Sequence, residues 1–593
     1  MYLDTASVTS ATGRRYSRVL LRSSYREAGK VKHRTLGNLS RCSPAEIAAV
    51  RLALRHKDQL ASFLAHLPAA PGKRAGTASA TPAPAAPAAV PVPAGPFTQG
   101  PSVGAIMVLR GLAEQLGLVA ALGDDAQGRL ALWQVIARAL DQGSRLSAVR
   151  LARDLGAAAV LDLPSFDEDA LYGNLAWLQD RQADIENRLF ASRYDQTPPA
   201  LYLYDVASTY LEGEHNALAA FGYNRDGKRG KKQLVVGLLC DDQGVPVAIQ
   251  GFPGNTPDPQ TVGAQIGKLQ QRFQARHVTL VGDRGMLRGP QLEALNAVGL
   301  HYITAISKPQ IETLLAADTL QMELFDLPLG EVIVPTAVPQ PPADPAATPA
   351  PGPLQERYIL RRNPVRQQEL AATRTAKEQA LARSVAEANA YLREHPRAQP
   401  ATAQRRLEKR LRSLGLSNWL SLTSNGREFT LHADASALEE EGKLDGCYVL
   451  RTDLTVPQAG KETVHDRYKD LAEVEQAFRR SKTVELQLRP VHVRTEASTR
   501  GHLLVVMLAY LLMKELGRRW APLDRTVAEG LDRLNTYCAV AVAGVIQVLL
   551  QPRADVQELL TAARVTLPTQ LPDTQASVAT RKKLPKRRPT RMK

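Results

Sequence analysis

Leu201–Gly213 reads LYLYDVASTYLEG, and the segments that follow it settle the architecture. Its apolar residues alternate as in a strand. Lys231–Asp241 (KKQLVVGLLCD) is a near-continuous apolar strand, Asp241–Gly244 (DDQG) has turn chemistry, and Val245–Phe252 (VPVAIQGF) is a third strand. Thr256–Phe273 then reads as a helix, His277–Asp283 (HVTLVGD) as a strand, Arg288–Gly299 as a helix and His301–Ser307 as a strand. The order β-β-β-α-β-α-β describes an α/β fold, a mixed sheet flanked by helices, and it calls for one more helix to cover the sheet. The first and fourth strands of such a sheet can be neighbours, which would bring Asp205 and Asp283 close together. Two adjacent carboxylates repel unless a cation lies between them. A hard divalent ion such as Mg²⁺ takes carboxylate oxygens together with phosphate and water, and a pair of ions can activate an attacking oxygen and steady a leaving one.

The missing helix is expected at Tyr468–Lys482, YKDLAEVEQAFRRSK. Leu471, Val474 and Phe478 fall at helical spacing on an inward face, and a neighbouring face is expected to present Tyr468, Glu475 and Lys482 together. Glu475 would complete an acidic set begun 270 residues earlier at Asp205. Taken singly, each residue has an ordinary reading. An aspartate at a strand end is usually a cap or turn residue, Arg479 and Lys482 suit a helix surface, and Tyr468 suits a packed aromatic. Asp241 and Asp242 are assigned to a turn, and Asp258, in GNTPD, to capping of the helix it opens.

Outward from this core the chain is modular, as its 593 residues require. Residues 1–67 form a basic β-hairpin with a turn near Glu27–Gly29, followed by a helix from Ser43 to Leu67. Residues 68–97 are a Pro/Ala linker without periodicity. Residues 98–195 are helical and admit either a DNA-end-binding reader or a plain helical bundle. The sheet occupies 196–308 and its last helix 461–520; between them, 309–460 reads as an α+β insertion with nine prolines between Pro328 and Pro353. Residues 521–593 are expected to be helical to Ala563 and to end in a basic tail, RKKLPKRRPTRMK. A formal charge of +16, from 75 Lys and Arg against 59 Asp and Glu, favours a polyanionic partner. The cysteines Cys42, Cys240, Cys447 and Cys538 have neither zinc-ribbon nor disulfide-framework spacing, which fits a reducing cytosol. The longest apolar run, Leu503–Met513, is shorter than the ~20 residues that span a bilayer and reads as a buried helix; no membrane partner is expected.

Several motifs now carry a family resemblance. Tyr468, Glu475 and Lys482 resemble the Y-(2)-R-(3)-E-(6)-K signature of a large branch of bacterial insertion-sequence DDE transposases, and YDVASTY, GYNRDGKRGKKQLVVGLL and LVGDRGM are similar to segments of the same family. The resemblance covers roughly residues 200–515. One position departs from it: Leu471 stands where the signature has arginine, so that phosphate contact is absent or comes from another group such as Arg467 or Arg479.

The resemblance implies a ribonuclease-H-like catalytic core and a triad of Asp205, Asp283 and Glu475 holding Mg²⁺, with Mn²⁺ as a substitute and two ions in the site. It implies that Tyr468 and Lys482 grip phosphates near the transposon end. Arg284, Arg479 and the basic run Lys228, Arg229, Lys231 and Lys232 suit DNA backbone contacts. The implied partners are transposon ends and target DNA, engaged by a homodimer, in a bacterial cytoplasm close to the nucleoid. A metal-dependent nuclease of the same fold and a non-catalytic DNA-binding protein are the alternatives.

Overall fold

The alternating run at Leu201 forms a strand near the middle of an eight-stranded sheet. The computed structural model describes residues 2–9, 15–27, 30–40, 97–194, 198–213, 215–223, 227–228, 230–273, 278–335, 355–484, 486–488, 491–542, 546–573 and 576–579, with single positions at 42, 47, 50, 51 and 54.

At the N-terminus, β1 (Tyr2–Thr9), β2 (Arg15–Glu27) and β3 (Lys30–Asn38) make an antiparallel sheet in that order. The expected hairpin is β2–β3, and pairing of Glu27 with Lys30 brackets a turn at Ala28 and Gly29 that lies outside the described residues. β1 adds a strand the sequence reading did not contain, held in part by Arg22 on Asp4 at 2.8 Å. Most of the expected helix Ser43–Leu67, the linker 68–97 up to its last residue, and the basic tail lie outside the described residues.

β4 (Phe97–Ser102) leads into α1 (Gly104–Gln115), α2 (Leu118–Leu122), α3 (Ala126–Leu140), α4 (Arg145–Asp154), α5 (Ala157–Leu161) and α6 (Glu168–Tyr194). Local chemistry starts two of these helices. Asp125 accepts from the Gly128 amide at the head of α3, and Ser144 accepts from the Ser147 amide at the head of α4.

The central segment follows the expected order: β5 (Leu201–Tyr210), β6 (Gln233–Asp241), β7 (Pro246–Pro253), α7 (Asp258–Gly267), β8 (Thr279–Gly282), α8 (Gly289–Ala297) and β9 (His301–Ala305). Next come α9 (Lys308–Ala316), β10 (Gly330–Pro335), β11 (Gln355–Arg362), α10 (Pro364–Glu394), α11 (Pro400–Leu414), β12 (Leu420–Asn425), β13 (Glu428–Ala433), α12 (Ala435–Gly442) and β14 (Cys447–Thr452). The sheet order is β10-β11-β14-β9-β8-β5-β6-β7, parallel only at β5–β8 and β8–β9.

The stretch 309–460 is therefore not one separate insertion. β10, β11 and β14 extend the main sheet, because the edge of β9 takes β14 as its antiparallel partner. Only α10, α11, the β12–β13 hairpin and α12 stand off, around small apolar clusters centred on Leu381, Leu411, Trp419 and on Val385, Leu407, Phe429.

The chain ends with α13 (Lys461–Lys469), α14 (Leu471–Arg479), α15 (Glu496–Trp520), α16 (Val527–Leu534), β15 (Cys538–Val542), β16 (Ile546–Val548) and α17 (Ala554–Ala563). The expectation of helix throughout from 521 to Ala563 fails at β15. That strand pairs with both β16 and β4, so the helical stretch from 98 also opens with a strand. Cys538–Val542 is rich in alanine and valine and gives no clear periodic signal; a partner more than 430 residues away decides it.

Side chains divide by parity between the two faces of the main sheet. Tyr202, Tyr204, Val235, Leu280 and Tyr302 face α7 and α8. Leu203, Ala207, Val236, Val281 and Ile303 face α14 and α15 and join the large core that takes in the N-terminal helices. α15 contains the apolar run Leu503–Met513 and is buried along that run. No helix among the described residues is long and apolar enough to cross a membrane.

Candidate active site

The parallel register pairs Tyr204 of β5 with Gly282 of β8, so Asp205 and Asp283 are the next residues on adjoining strands. Each shares the parity of its neighbour two residues back, Leu203 and Val281, both of which lie in the core beneath α14. The two aspartates thus belong to the face that carries Glu475. Asp283 closes its strand at the surface, whereas Asp205 is half-buried because β5 runs on to Tyr210. In each, Oδ1 accepts from the amide of the next residue, Val206 or Arg284, at 2.7 Å.

α14 reaches β5 through its buried face of Leu471, Val474, Ala477 and Phe478. Glu473 accepts from Lys514 of α15 at 2.9 Å, which ties α14 to the buried helix behind it. These contacts turn Glu475 outward, where it is exposed. The expected single helix Tyr468–Lys482 is jointed instead. α13 ends at Lys469, Asp470 bridges to α14, and Arg480–Val484 is a π-helical turn. Asp470 keeps helical dihedrals and makes no side-chain cap; aspartate is a poor interior helix residue, which fits a joint at this position. The π turn is wound more loosely than an α-helix, so Lys482 leaves the line of Tyr468 and Glu475.

Asp283 and Glu475 line a cavity of ≈ 740 Å³ together with Arg284, Tyr468, His465 and Leu471. Burial pushes the Tyr468 phenol well above its ordinary pKa and the Asp283 charge acts in the same direction, so the hydroxyl stays protonated and available as a donor. His465 was not singled out from the sequence. It lies three residues before Tyr468 on α13, with Nε2 at 2.5 Å from the Tyr448 hydroxyl and 3.1 Å from Arg361 Nη1. Burial, then the charges of Lys469 and Arg361, hold its pKa down, which favours the neutral ring. The helical spacing of His465 and Tyr468 was the available signal. Lys308, at the start of α9 before the proline-rich stretch, and Arg366, on α10 beyond it, line the same cavity, and nothing local in the sequence announces them.

Other expected residues are placed elsewhere. Lys482 Nζ lies 5.8 Å from the Phe478 ring centroid, and neither it nor the exposed Arg479 lines the cavity. Lys228 sits 5.7 Å from the ring of Tyr210, and Lys231 pairs with Glu212 at 3.0 Å. Lys232 is half-buried beside them at the start of β6, and Arg229 lies outside the described residues. This basic loop follows β5, so it stands about 17 Å beyond Asp205 along the strand, at ~3.3 Å per residue. Asp258 is a correction: Pro257 holds the N-cap position of α7 without a side-chain cap, and the Asp258 carboxylate instead faces the turn at Gly285, next to Arg284.

Among the described residues no three acidic, histidine or cysteine side chains are assembled closely enough to hold a metal ion. The donor chemistry nevertheless fits a hard divalent cation: two carboxylates on adjoining strands, Asp205 within β5 and Asp283 at the end of β8, and a third on a helix packed against the same face.

Two family comparisons match. Residues 203–512 match the Transposase DDE domain family, and residues 6–65 match the N-terminal domain of the IS1634 family of transposases. No curated protein sequence matches the chain. Among solved structures, a piggyBac transposase synaptic complex with hairpin DNA is similar at 9% identity and a TM-score of 0.33, over 68% of this chain and 69% of that one. A Mos1 transposase paired-end complex with a left transposon end is similar at 14% identity and a TM-score of 0.12, over 27% and 58%. At these scores neither structural likeness bears on the reading.

Proposed function

The chain belongs to the transposase DDE domain family, matched over residues 203–512, and from that premise we propose that Asp205, Asp283 and Glu475 are the acidic triad of a DNA-cutting and DNA-joining enzyme. It is a DDE-type transposase. The observation that carries the triad is the register Tyr204↔Gly282, which makes Asp205 and Asp283 neighbours on the face that α14 covers. The strand order β7-β6-β5-β8-β9, antiparallel on one side of β5 and parallel on the other, supports a ribonuclease-H-like core.

The triad would hold divalent cations, two Mg²⁺ ions or Mn²⁺ in their place. When bound, such ions lower the cost of charge on the attacking and leaving oxygens. Asp205 and Asp283 would swing from the amides they now accept from to serve as ligands. In the first reaction a water oxygen bonds to the phosphorus at the element's end and the 3′ oxygen leaves, taking a proton. In the second, that 3′ hydroxyl loses its proton and bonds to a phosphorus of target DNA, and the target's own 3′ oxygen leaves, taking a proton. Tyr468 donates toward a phosphate oxygen beside the scissile bond, while Arg284 offsets charge from the cavity wall. The working assembly is a dimer that holds two ends.

The test is substitution within the triad. Asp205→Asn, Asp283→Asn and Glu475→Gln should each abolish Mg²⁺-dependent cleavage and strand transfer while end binding persists. Full activity in any of the three overturns the assignment. Cleavage without joining by the unaltered protein would reduce it to a nuclease.

A further inference from the structure

We propose that the outward face of α11 is a sequence-independent binding surface for the phosphate backbone of duplex DNA. Arg405, Arg406, Lys409, Arg410 and Arg412 are all exposed on this helix, and none of them forms an ion pair with another of the described residues. The opposite side of α11 is apolar: Leu407 packs with Val385, Ala388 and Leu392 of α10, and Leu411 packs with Leu381. The helix is therefore anchored by one face and presents its charge on the other.

A basic run on a helix is often just a solvated face, and the neighbouring helix shows what that looks like here. α10 interleaves its signs, with Arg366 paired to Glu369 at 2.9 Å and acids at Glu378, Glu387 and Glu394 among its cations. α11 has one acid, Glu408, and it is taken up by Gln404 at 2.9 Å. Unrelieved like charge at i, i+4 spacing weakens a helix. A surface built this way is stabilised when an anionic partner neutralises it.

The geometry selects the polyanion. Arg405, Lys409 and Arg412 form one row along the helix, and Arg406 and Arg410 form a second beside it. Successive members of a row lie about 5–6 Å apart, close to the spacing of phosphates along a strand, so two rows can follow one backbone. The loop leading into α11 is braced: Arg427 donates to the carbonyls of Leu392, His395 and Ala398, at 2.9, 2.9 and 3.1 Å.

The face is also well removed from the chemistry. Asn363, at the head of α10, lines the cavity that holds Glu475, whereas α11 packs beside Leu381–Leu392. Leu370 is the last residue of α10 on the cavity, and at 1.5 Å per residue the stretch from it to Leu381–Leu392 is about 17 to 33 Å along α10. A duplex leaving the cavity along α10 would meet α11 after roughly 5 to 10 base pairs.

The proposal rests on the reading of this chain as a DNA-processing enzyme, but its test reads binding and not cleavage. The full-length protein would be compared with a variant carrying Arg405→Gln, Arg406→Gln, Lys409→Gln, Arg410→Gln and Arg412→Gln. Glutamine keeps helix propensity, and circular dichroism would check the fold. Affinity for a short duplex of arbitrary sequence would be measured over a series of salt concentrations. The expected result is weaker binding to any duplex and a salt slope shallower by about 3 to 4, at ~0.9 per phosphate contact. An Arg→Lys version of the same four arginines should retain the slope. An unchanged slope in the glutamine variant overturns the proposal, and so does a loss confined to one DNA sequence. The slope is read without cleavage and without Mg²⁺, so failure of the triad and failure of this surface are separate observations.

Discussion

At the scale of single residues, the site is decided by what surrounds each polar group. Tyr468 is a donor because α13 half-buries it beside Asp283, and burial holds its pKa well above the ordinary phenol range. Tyr468→Phe keeps the ring and its packing and removes only the hydroxyl. A hydrogen bond to a charged oxygen is worth about 1.5–3 kcal/mol, so cleavage should fall by about 10- to 100-fold. The pH–rate profile of the unaltered protein should show no limb from this residue between pH 6 and 10, and a Phe variant that cleaves at the full rate would remove Tyr468 from the site. Leu471 shows the opposite case. It stands at the signature's arginine position and is 6% exposed, buried against the sheet, so no phosphate contact comes from it. The cations that reach the cavity are Arg284, Lys308, Arg366 and Lys469, drawn from four separate segments of the chain.

At the scale of elements, α15 decides how closely the helices approach one another. It lies between the sheet and the N-terminal helices, packing on α6, α3 and β7. Gly501 faces Leu175 of α6 so closely that a Cβ there would overlap the Leu175 carbonyl. Backbone cannot swing aside as a side-chain tip can. Gly501→Ala should therefore force α6 and α15 apart and cost about 1–3 kcal/mol, read as a lowered urea midpoint. An unchanged midpoint would mean that the two helices slide past each other freely. The joints around α14 belong to the same scale. Helical periodicity correctly places Leu471, Val474 and Phe478 inward, but it is blind to the break at Asp470 and to the π turn that draws Lys482 away.

At the scale of the whole molecule, one apolar core runs from Val103 to Leu571 and joins α1–α6, one face of the sheet and the C-terminal elements. A fragment of residues 98–195 would leave the surface that α15 and α17 cover open to water, and β4 would lose β15. Such a fragment should show no cooperative thermal transition by circular dichroism, and a sharp two-state melt would contradict this account of the core. Much of the arrangement was legible along the chain. The β-β-β-α-β-α-β order, the buried run Leu503–Met513 and the amphipathic face around Glu475 all follow from hydrophobic period, which is a local property. What the tertiary structure alone decided are the choices of partner between distant segments. These include the addition of β10, β11 and β14 to the sheet, the pairing of β4 with β15, the placement of His465, Lys308 and Arg366 around one cavity, and the turn of Asp258 toward Gly285. The physical reason is that a strand's edge or a helix's polar face can be satisfied by many partners of similar local chemistry, and only simultaneous burial of the whole core selects among them.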